Sequence, residues 1–468
     1  MRTKTLMLFA LLSACVPSSE GTPEPAAPQP SVRFFGRPPV VDQSTRIGTA
    51  NAAQSFTPTP TPKARKVTFR TKWKAQIGKT HARSTMVYEG GFVMATSERG
   101  VHVLRGVSGE SHALIAAPNG EPVAGAAAER DAVFFTTERG HVHRATSSGE
   151  LRWSVAAGGN VASAPTLVDV DGDGALDVLV GTSTGHAVAL EGRTGKKLWQ
   201  TLVGTNGRRG LEGGIGVGDV DGDGKLELVA GGGDGSLAVL RLDGAVAWKV
   251  KYPSSIVAPP SIVELDAHGA AEILAAWSDG RVAVFDGKSS EVLWSAQSET
   301  DRGDLDAIVA APVALPGPRV GSIVVATSGN TKSEGLVLFG ERERRFRSIE
   351  GRVTASPVVM RLDPDSTPDA IVGTLAGDLV AIDATGGRTF LAAIGAPIEA
   401  SPLLADVDAD GVRDLIVVTR DGLVTCFSTG AADRPLVDRY RATFQPVNLG
   451  WTFARGREQP KLLDDRKR

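Results

Sequence analysis

An acidic nonapeptide recurs three times at matching points of a longer repeat. The copies are Asp169-Val-Asp171-Gly-Asp173-Gly-Ala175-Leu-Asp177, Asp219-Val-Asp221-Gly-Asp223-Gly-Lys225-Leu-Glu227 and Asp406-Val-Asp408-Ala-Asp410-Gly-Val412-Arg-Asp414. Carboxylates at alternate positions, followed by a glycine that permits a sharp reversal, can wrap hard oxygen ligands around one Ca²⁺. The acid at the ninth position closes the shell. An EF-hand loop needs its closing Glu at position twelve, between helices. Here the acid arrives at nine, between the strand-like runs Ala164-Pro-Thr-Leu-Val168 and Leu176-Asp-Val-Leu-Val-Gly181. The pattern therefore predicts a metal loop joining two strands.

The expected ligands follow position by position. Side-chain oxygens come from Asp169, Asp171, Asp173 and Asp177 with the Ala175 carbonyl, then from Asp219, Asp221, Asp223 and Glu227 with the Lys225 carbonyl. The third set is Asp406, Asp408, Asp410 and Asp414 with the Val412 carbonyl. Carboxylates crowded so closely repel one another without a cation. Three calcium ions with a bracing role are the expectation. Two further copies are degraded: His268 replaces the third acid in the loop 264–272, and the loop 361–369 starts with Arg361 and has Ser366 in place of its glycine. Neither is expected to hold metal, since imidazole is a poor ligand for a hard cation.

Aligning the acidic loops brings the remaining chain into register. A turn ending in glycine recurs at Gly100, Gly140, Gly185, Gly235, Gly280, Gly335, Gly377 and Gly422, at intervals of roughly 40–55 residues, the range of propeller blades. An aromatic follows most of these turns, at Trp153, Trp199, Trp248, Trp294, Phe346 and Phe390. Short alternating strands without helical periodicity predict an all-β fold, an eight-bladed β-propeller of four-stranded blades over residues 67–430. An open ring would leave an unpaired edge. The segment Val67-Thr-Phe-Arg-Thr-Lys-Trp73 resembles a Trp-bearing fourth strand that has lost its blade. It is expected to pair near Phe427 and close the ring.

The N-terminus carries Arg2 and Lys4, then the apolar run Leu6–Leu12, then Ser13-Ala14-Cys15. This matches a secretory signal over residues 1–14, with an apolar run too short to span a bilayer. Residues 15–66 are rich in Pro, Ser and Thr and read as a tether. Residues 431–468 form a C-terminal extension ending in charged residues. A net charge of −2 with interleaved signs leaves no electrostatic footprint for nucleic acid. Cys426 sits inside the strand-like run Leu423-Val-Thr-Cys-Phe427 and reads as a small buried apolar residue.

Several resemblances now have residues behind them. Leu12-Ser-Ala-Cys15 resembles a bacterial lipobox, which implies lipidation at Cys15, a membrane association through that lipid, and a place in the cell envelope, in the outer membrane, the periplasm or at the cell surface. Ala189-Leu-Glu191-Gly-Arg-Thr194-Gly195-Lys-Lys-Leu-Trp199 is similar to the docking motif of PQQ-type propellers, in which the Trp of one blade packs on its neighbour. The acidic loops resemble FG-GAP, or integrin-type, calcium loops.

Those resemblances imply a non-catalytic, lipid-anchored, calcium-stabilised scaffold that binds an envelope protein or a glycan. The alternative within the binding class is an accessory lipoprotein of outer-membrane β-barrel assembly. The alternative among enzymes is a PQQ-dependent dehydrogenase. PQQ is not expected, because no cysteine pair is present to sandwich it, and no catalytic residues are assigned. Ser183 satisfies a nucleophile-elbow string but lies in a strand-to-strand turn, where that chemistry lacks its helix. The histidines His102, His112, His141 and His143 read as exposed strand residues without zinc spacing. The longest polar loops face away from the acidic loops, and Arg208, Arg209, Glu212, Asp301, Arg302 and Asp304 are the candidate partner contacts.

Overall fold

In the computed structural model the described residues are 33–34, 69–80, 84–263, 270–297, 307–308, 310–315, 322–328, 335–339, 344–348, 353–362, 368–383 and 387–430. Among them the strands form antiparallel meanders whose order in each sheet follows the chain, as a ring of propeller blades requires. Seven blades are each cut from one continuous stretch, spanning residues 86–115, 123–156, 166–202, 215–251, 261–297, 313–348 and 358–393. The seam sheet is a hybrid: Leu403–Ala405, Asp414–Val418 and Leu423–Ser428 supply three strands, and Arg70–Gln76 adds the outer one.

The expectation of an eight-bladed propeller of four-stranded blades is corrected by these sheets, in which seven blades complete the repeat and the seam sheet joins the two ends of the ring. Seven repeat as continuous four-strand units and the seam sheet does not, while two sheets carry a fifth strand. In the blade spanning 313–348, the inner strand is broken into Ala307–Ile308 and Val313–Leu315, both paired to Ser322–Ser328. Pro312 lies between the pieces and has no N–H to offer a ladder. In the blade spanning 215–251, Arg33–Phe34 adds in parallel to the outer edge beside Val250 and Lys251. An exposed outer edge is a template for such pairing. This contact also shows that part of the expected tether touches the ring.

Burial explains why each run became the strand it did. Second strands such as Asp177–Gly181, Glu227–Gly231 and Asp414–Val418 are buried along their whole length, because neighbouring blades cover both of their faces. The outer strand Leu151–Ala156 instead alternates between exposed and half-buried residues. The core therefore lies between blades: Phe134 and Val142 of one blade pack with Leu167, Val178 and Val188 of the next. Hydroxyl groups stitch the inner strands together. Thr85 Oγ1 accepts from the Ala126 N–H at 2.9 Å, and Ser356 Oγ accepts from the Ala311 N–H at 2.9 Å.

Trp docking links successive blades from the outside. Trp153 Nε1 donates to the Gly192 carbonyl at 3.1 Å, Trp199 Nε1 to Leu242 at 2.8 Å and Trp248 Nε1 to Gly287 at 2.6 Å. A Cβ on Gly195 would lie 2.9 Å from the Trp153 ring, and one on Gly244 2.7 Å from Trp199. The glycine of each turn is thus the floor on which the indole rests. Just before most of these aromatics the outer strand carries a β-bulge, at Arg152, Leu198, Ala247 and Leu293. Bulges re-aim a side chain without breaking the sheet.

Histidines on third strands are less exposed than expected. His102 and His143 are buried, because third strands also lie between blades. His102 Nε2 meets Ser97 Oγ at 2.8 Å, whereas neither ring nitrogen of His143 has a partner. Burial, reinforced by nearby His141, pushes His143 down to about 4. Cys426 is buried as expected, and burial pushes its thiol up to about 12, which makes it inert. Among the described residues no helix is long and apolar enough to cross a membrane. Cys15 and the C-terminal extension lie outside the described residues.

Candidate metal loops and the axial opening

Each acidic loop connects the inner strand of its blade to the second strand, as expected. The first two loops have closely matching geometry. Asp169 Oδ1 accepts from the Gly172 N–H at 2.8 Å and its Oδ2 from the Gly174 N–H at 3.0 Å. Asp219 makes the same pair of bonds with Gly222 and Gly224, at 2.8 and 2.9 Å. The reversal needs a left-handed backbone: Gly172 and Gly222 sit at φ 78° and 75°. In the third loop that position falls to Ala409 at φ 58°, a conformation an L side chain rarely adopts.

The ninth-position acid is pulled inward in both of the first two loops. Asp177 accepts from the Val170 N–H at 3.0 Å, and Glu227 from the Val220 N–H at 3.0 Å. Each is buried. Oxygens of Asp169, Asp171 and Asp177 converge to within 4.8 Å of one another, as do those of Asp219, Asp221 and Glu227. Burial, with the like charges of the neighbouring loop acids, raises the Asp177 carboxyl and pushes Glu227 up to about 7. The fifth-position acids turn outward. Asp173 meets Arg193 at 2.8 Å and Asp223 meets Lys225 at 3.3 Å. The N–H groups of Ala175 and Lys225 donate to those same acids. Three hard oxygen donors without an internal cation remain in each loop, a set that fits Ca²⁺.

The third loop differs. Its converging oxygens belong to Asp406, Asp408 and Asp410, not to the ninth-position acid. Lys72 Nζ donates to Asp408 Oδ2 at 2.6 Å and to Asp414 Oδ2 at 2.9 Å, and it lies 3.8 Å from Asp410. The Asp414 side chain is fully buried at 0% exposure, while that of Lys72 is 19% exposed. Burial opposes the ammonium charge, but the hydrogen bonds to Asp408 and Asp414 outweigh it and hold the Lys72 pKa above the ordinary lysine range. Asp414 is nevertheless raised, because burial there outweighs the lysine. The Val412 N–H donates to Asp410 at 2.8 Å, matching its counterparts.

The opposite face carries the candidate partner contacts. An opening of about 160 Å³ lies among residues from the inner edges of several blades, including Ser84, Ser163, Arg209, Glu212, Ser356 and Ser401. Residues from around the ring converge there, which places it on the axis. A neighbouring hollow of about 290 Å³ includes Asn160, Ser183, Arg208 and Glu212. Arg209 and Glu212, 3.7 Å apart, thus lie at the axial mouth, and Arg208 of the same loop lines the hollow beside it. Asp301, Arg302 and Asp304 lie outside the described residues. So do residues 264–269 and 363–367 of the degraded loops, although their closing acids Glu272 and Asp369 are buried. Sequence reading missed Lys72. Its signal was the residue before Trp73, which aligns with Leu198 before Trp199 and Ala247 before Trp248.

Comparison with known proteins agrees with the fold. The model of the FG-GAP-like repeat family matches residues 169–230, a span that contains the first two acidic loops and omits the third. No curated protein sequence matches the chain. BamB from Moraxella catarrhalis superposes with a TM-score of 0.56 at 15% identity, covering 76% of this chain and 97% of BamB. The quinohemoprotein alcohol dehydrogenase ADHIIG of Pseudomonas putida HK5 gives 0.54 at 12% identity, covering 78% and 76%. Saccharomyces cerevisiae Sqt1 gives 0.56 at 13% identity, covering 78% and 99%. The chain is a β-propeller of repeat type. Such low identities carry the fold and no further property.

Proposed function

We propose that this protein is a non-catalytic, lipid-anchored propeller of the bacterial cell envelope, braced by calcium in its first two acidic loops, whose loop face binds a protein or a glycan. The observation that carries the binding role is the position of one charged loop at the axial mouth, with Arg209 and Glu212 lining the opening and Arg208 lining the hollow beside it. Charged residues on loops held by a rigid ring are suited to recognition. The calcium role is supported by two sets of converging carboxylates and by the family match over those loops.

A second reading, an accessory role in outer-membrane β-barrel assembly, draws on the lipobox-like Leu12–Cys15 and on the likeness to BamB along nearly all of that chain. Affinity capture from envelope membranes tests both, with wild type compared against an Arg208→Ala/Arg209→Ala variant. Specific partners lost from the variant support the loop face as the binding surface. Identical captures from both proteins count against it. Incubation with PQQ, followed by absorbance of the bound fraction, tests the dehydrogenase alternative.

A further inference from the structure

The two-residue step Lys72-Trp73 does two jobs at the seam of the ring. Trp73 docks on the first blade. Lys72 is the extra residue of a β-bulge, since Thr71 pairs with Phe427 and Trp73 with the adjacent Cys426. An extra residue at a bulge leaves the ladder and can be aimed off its regular course. Here the side chain reaches the acidic loop of its own blade and contacts Asp408, Asp410 and Asp414. The same bulge exists in the two other blades with acidic loops, but there the residue is Leu198 or Ala247. Those loops receive no ammonium group from their outer strand.

We propose that the Lys72 ammonium is the resident cation of the third acidic loop, which therefore excludes a divalent ion and serves as a metal-independent latch on the ring-closing strand. Two further observations fit. The ninth-position acid leaves the converging group in this loop alone, drawn instead to Lys72. Ala409 also stands where the other loops have a glycine. The latch joins residues from the two ends of the ring, 336 and 342 positions apart. The stoichiometric part of this inference rests on the calcium reading of the first two loops. It replaces the third ion expected from the sequence pattern.

Calorimetric titration of the full chain with calcium, after removal of metal by chelator, tests the proposal. Wild type is expected to bind two ions, Lys72→Met three, and Asp408→Asn two. Three ions in wild type, a drop to one in Asp408→Asn, or two in a folded Lys72→Met each overturn it. The Asp408→Asn arm stays decisive if Lys72→Met fails to fold. No calcium in wild type sinks the calcium reading instead, and melting in chelator then decides the latch. Lys72→Met should lower the melting temperature while Lys74→Met, at an exposed position of the same strand, should not; equal melting of the two variants overturns the latch.

Discussion

The indole Nε1 of Trp73 donates to the carbonyl oxygen of Gly106 at 2.7 Å, and a Cβ on Gly109 would lie 2.4 Å from the same ring. The outer strand of the seam sheet thus docks on the first blade by the contact that joins blades elsewhere. Trp73 is 7% exposed, whereas Trp153, Trp199 and Trp248 are half-buried. The docking at the seam is the most enclosed of these. Trp73→Ala is expected to destabilise the ring by about 3–5 kcal/mol, the usual cost of emptying a large aromatic site. Chemical denaturation checks it; a loss below that of Trp153→Ala would show that the seam is not a special point.

Calcium should bind the folded chain and raise its stability with the logarithm of concentration over dissociation constant, about 2.7 kcal/mol at a hundredfold excess. Asp171→Ala and Asp221→Ala are each expected to remove one ion from the calorimetric stoichiometry. A chelator should lower the wild-type melting temperature. It should have a smaller effect on the double variant.

Glu227 tests the charge crowding inside the second loop without metal. Burial and the neighbouring aspartates raise its folded pKa to about 7 from an ordinary value of 4.5. For a raised carboxyl, the stability contribution is full below the unfolded pKa and is lost as pH rises through the folded one. In chelator, Glu227→Gln should therefore melt higher than wild type above pH 7 and converge with it below about pH 4.5. Parallel melting curves across that window would show that the acid carries no strain in the apo protein.

His143 predicts the opposite trend at acid pH. Its folded pKa is depressed to about 4 from 6.5 because the ring is buried without a hydrogen-bond partner. The unfolded chain then takes up the proton first, so stability is present above pH 6.5 and lost as pH falls towards 4. The ring stacks on Phe135 with centroids 4.7 Å apart, so His143→Phe keeps the apolar contact and removes the proton. The variant should resist acid by on the order of 2–3 kcal/mol relative to wild type at pH 4. Denaturation midpoints at pH 7 and pH 4 check the difference.

Local pattern determined a good deal of this protein. The nonapeptide spacing put metal-type loops between inner and second strands, because ligand geometry depends on residues within one turn. The glycine turns and Trp positions marked the blades, since each blade is a local meander, and the stranded Lys72-Trp73 segment identified its missing partner near Phe427. Tertiary structure decided what crosses between blades or between chain ends. The break at Pro312, the fifth strand at Arg33–Phe34, the burial of His143 between blades and the position of Arg209 and Glu212 on the axis all depend on neighbours outside the repeat unit. The clearest case is the third acidic loop, which has the same carboxylate spacing as the other two but meets an ammonium from 336 residues away. A periodic sequence specifies each unit and its acidic loop, but only closure of the ring places a particular lysine against a particular loop, because that contact arises from the strand the chain borrows from its other end.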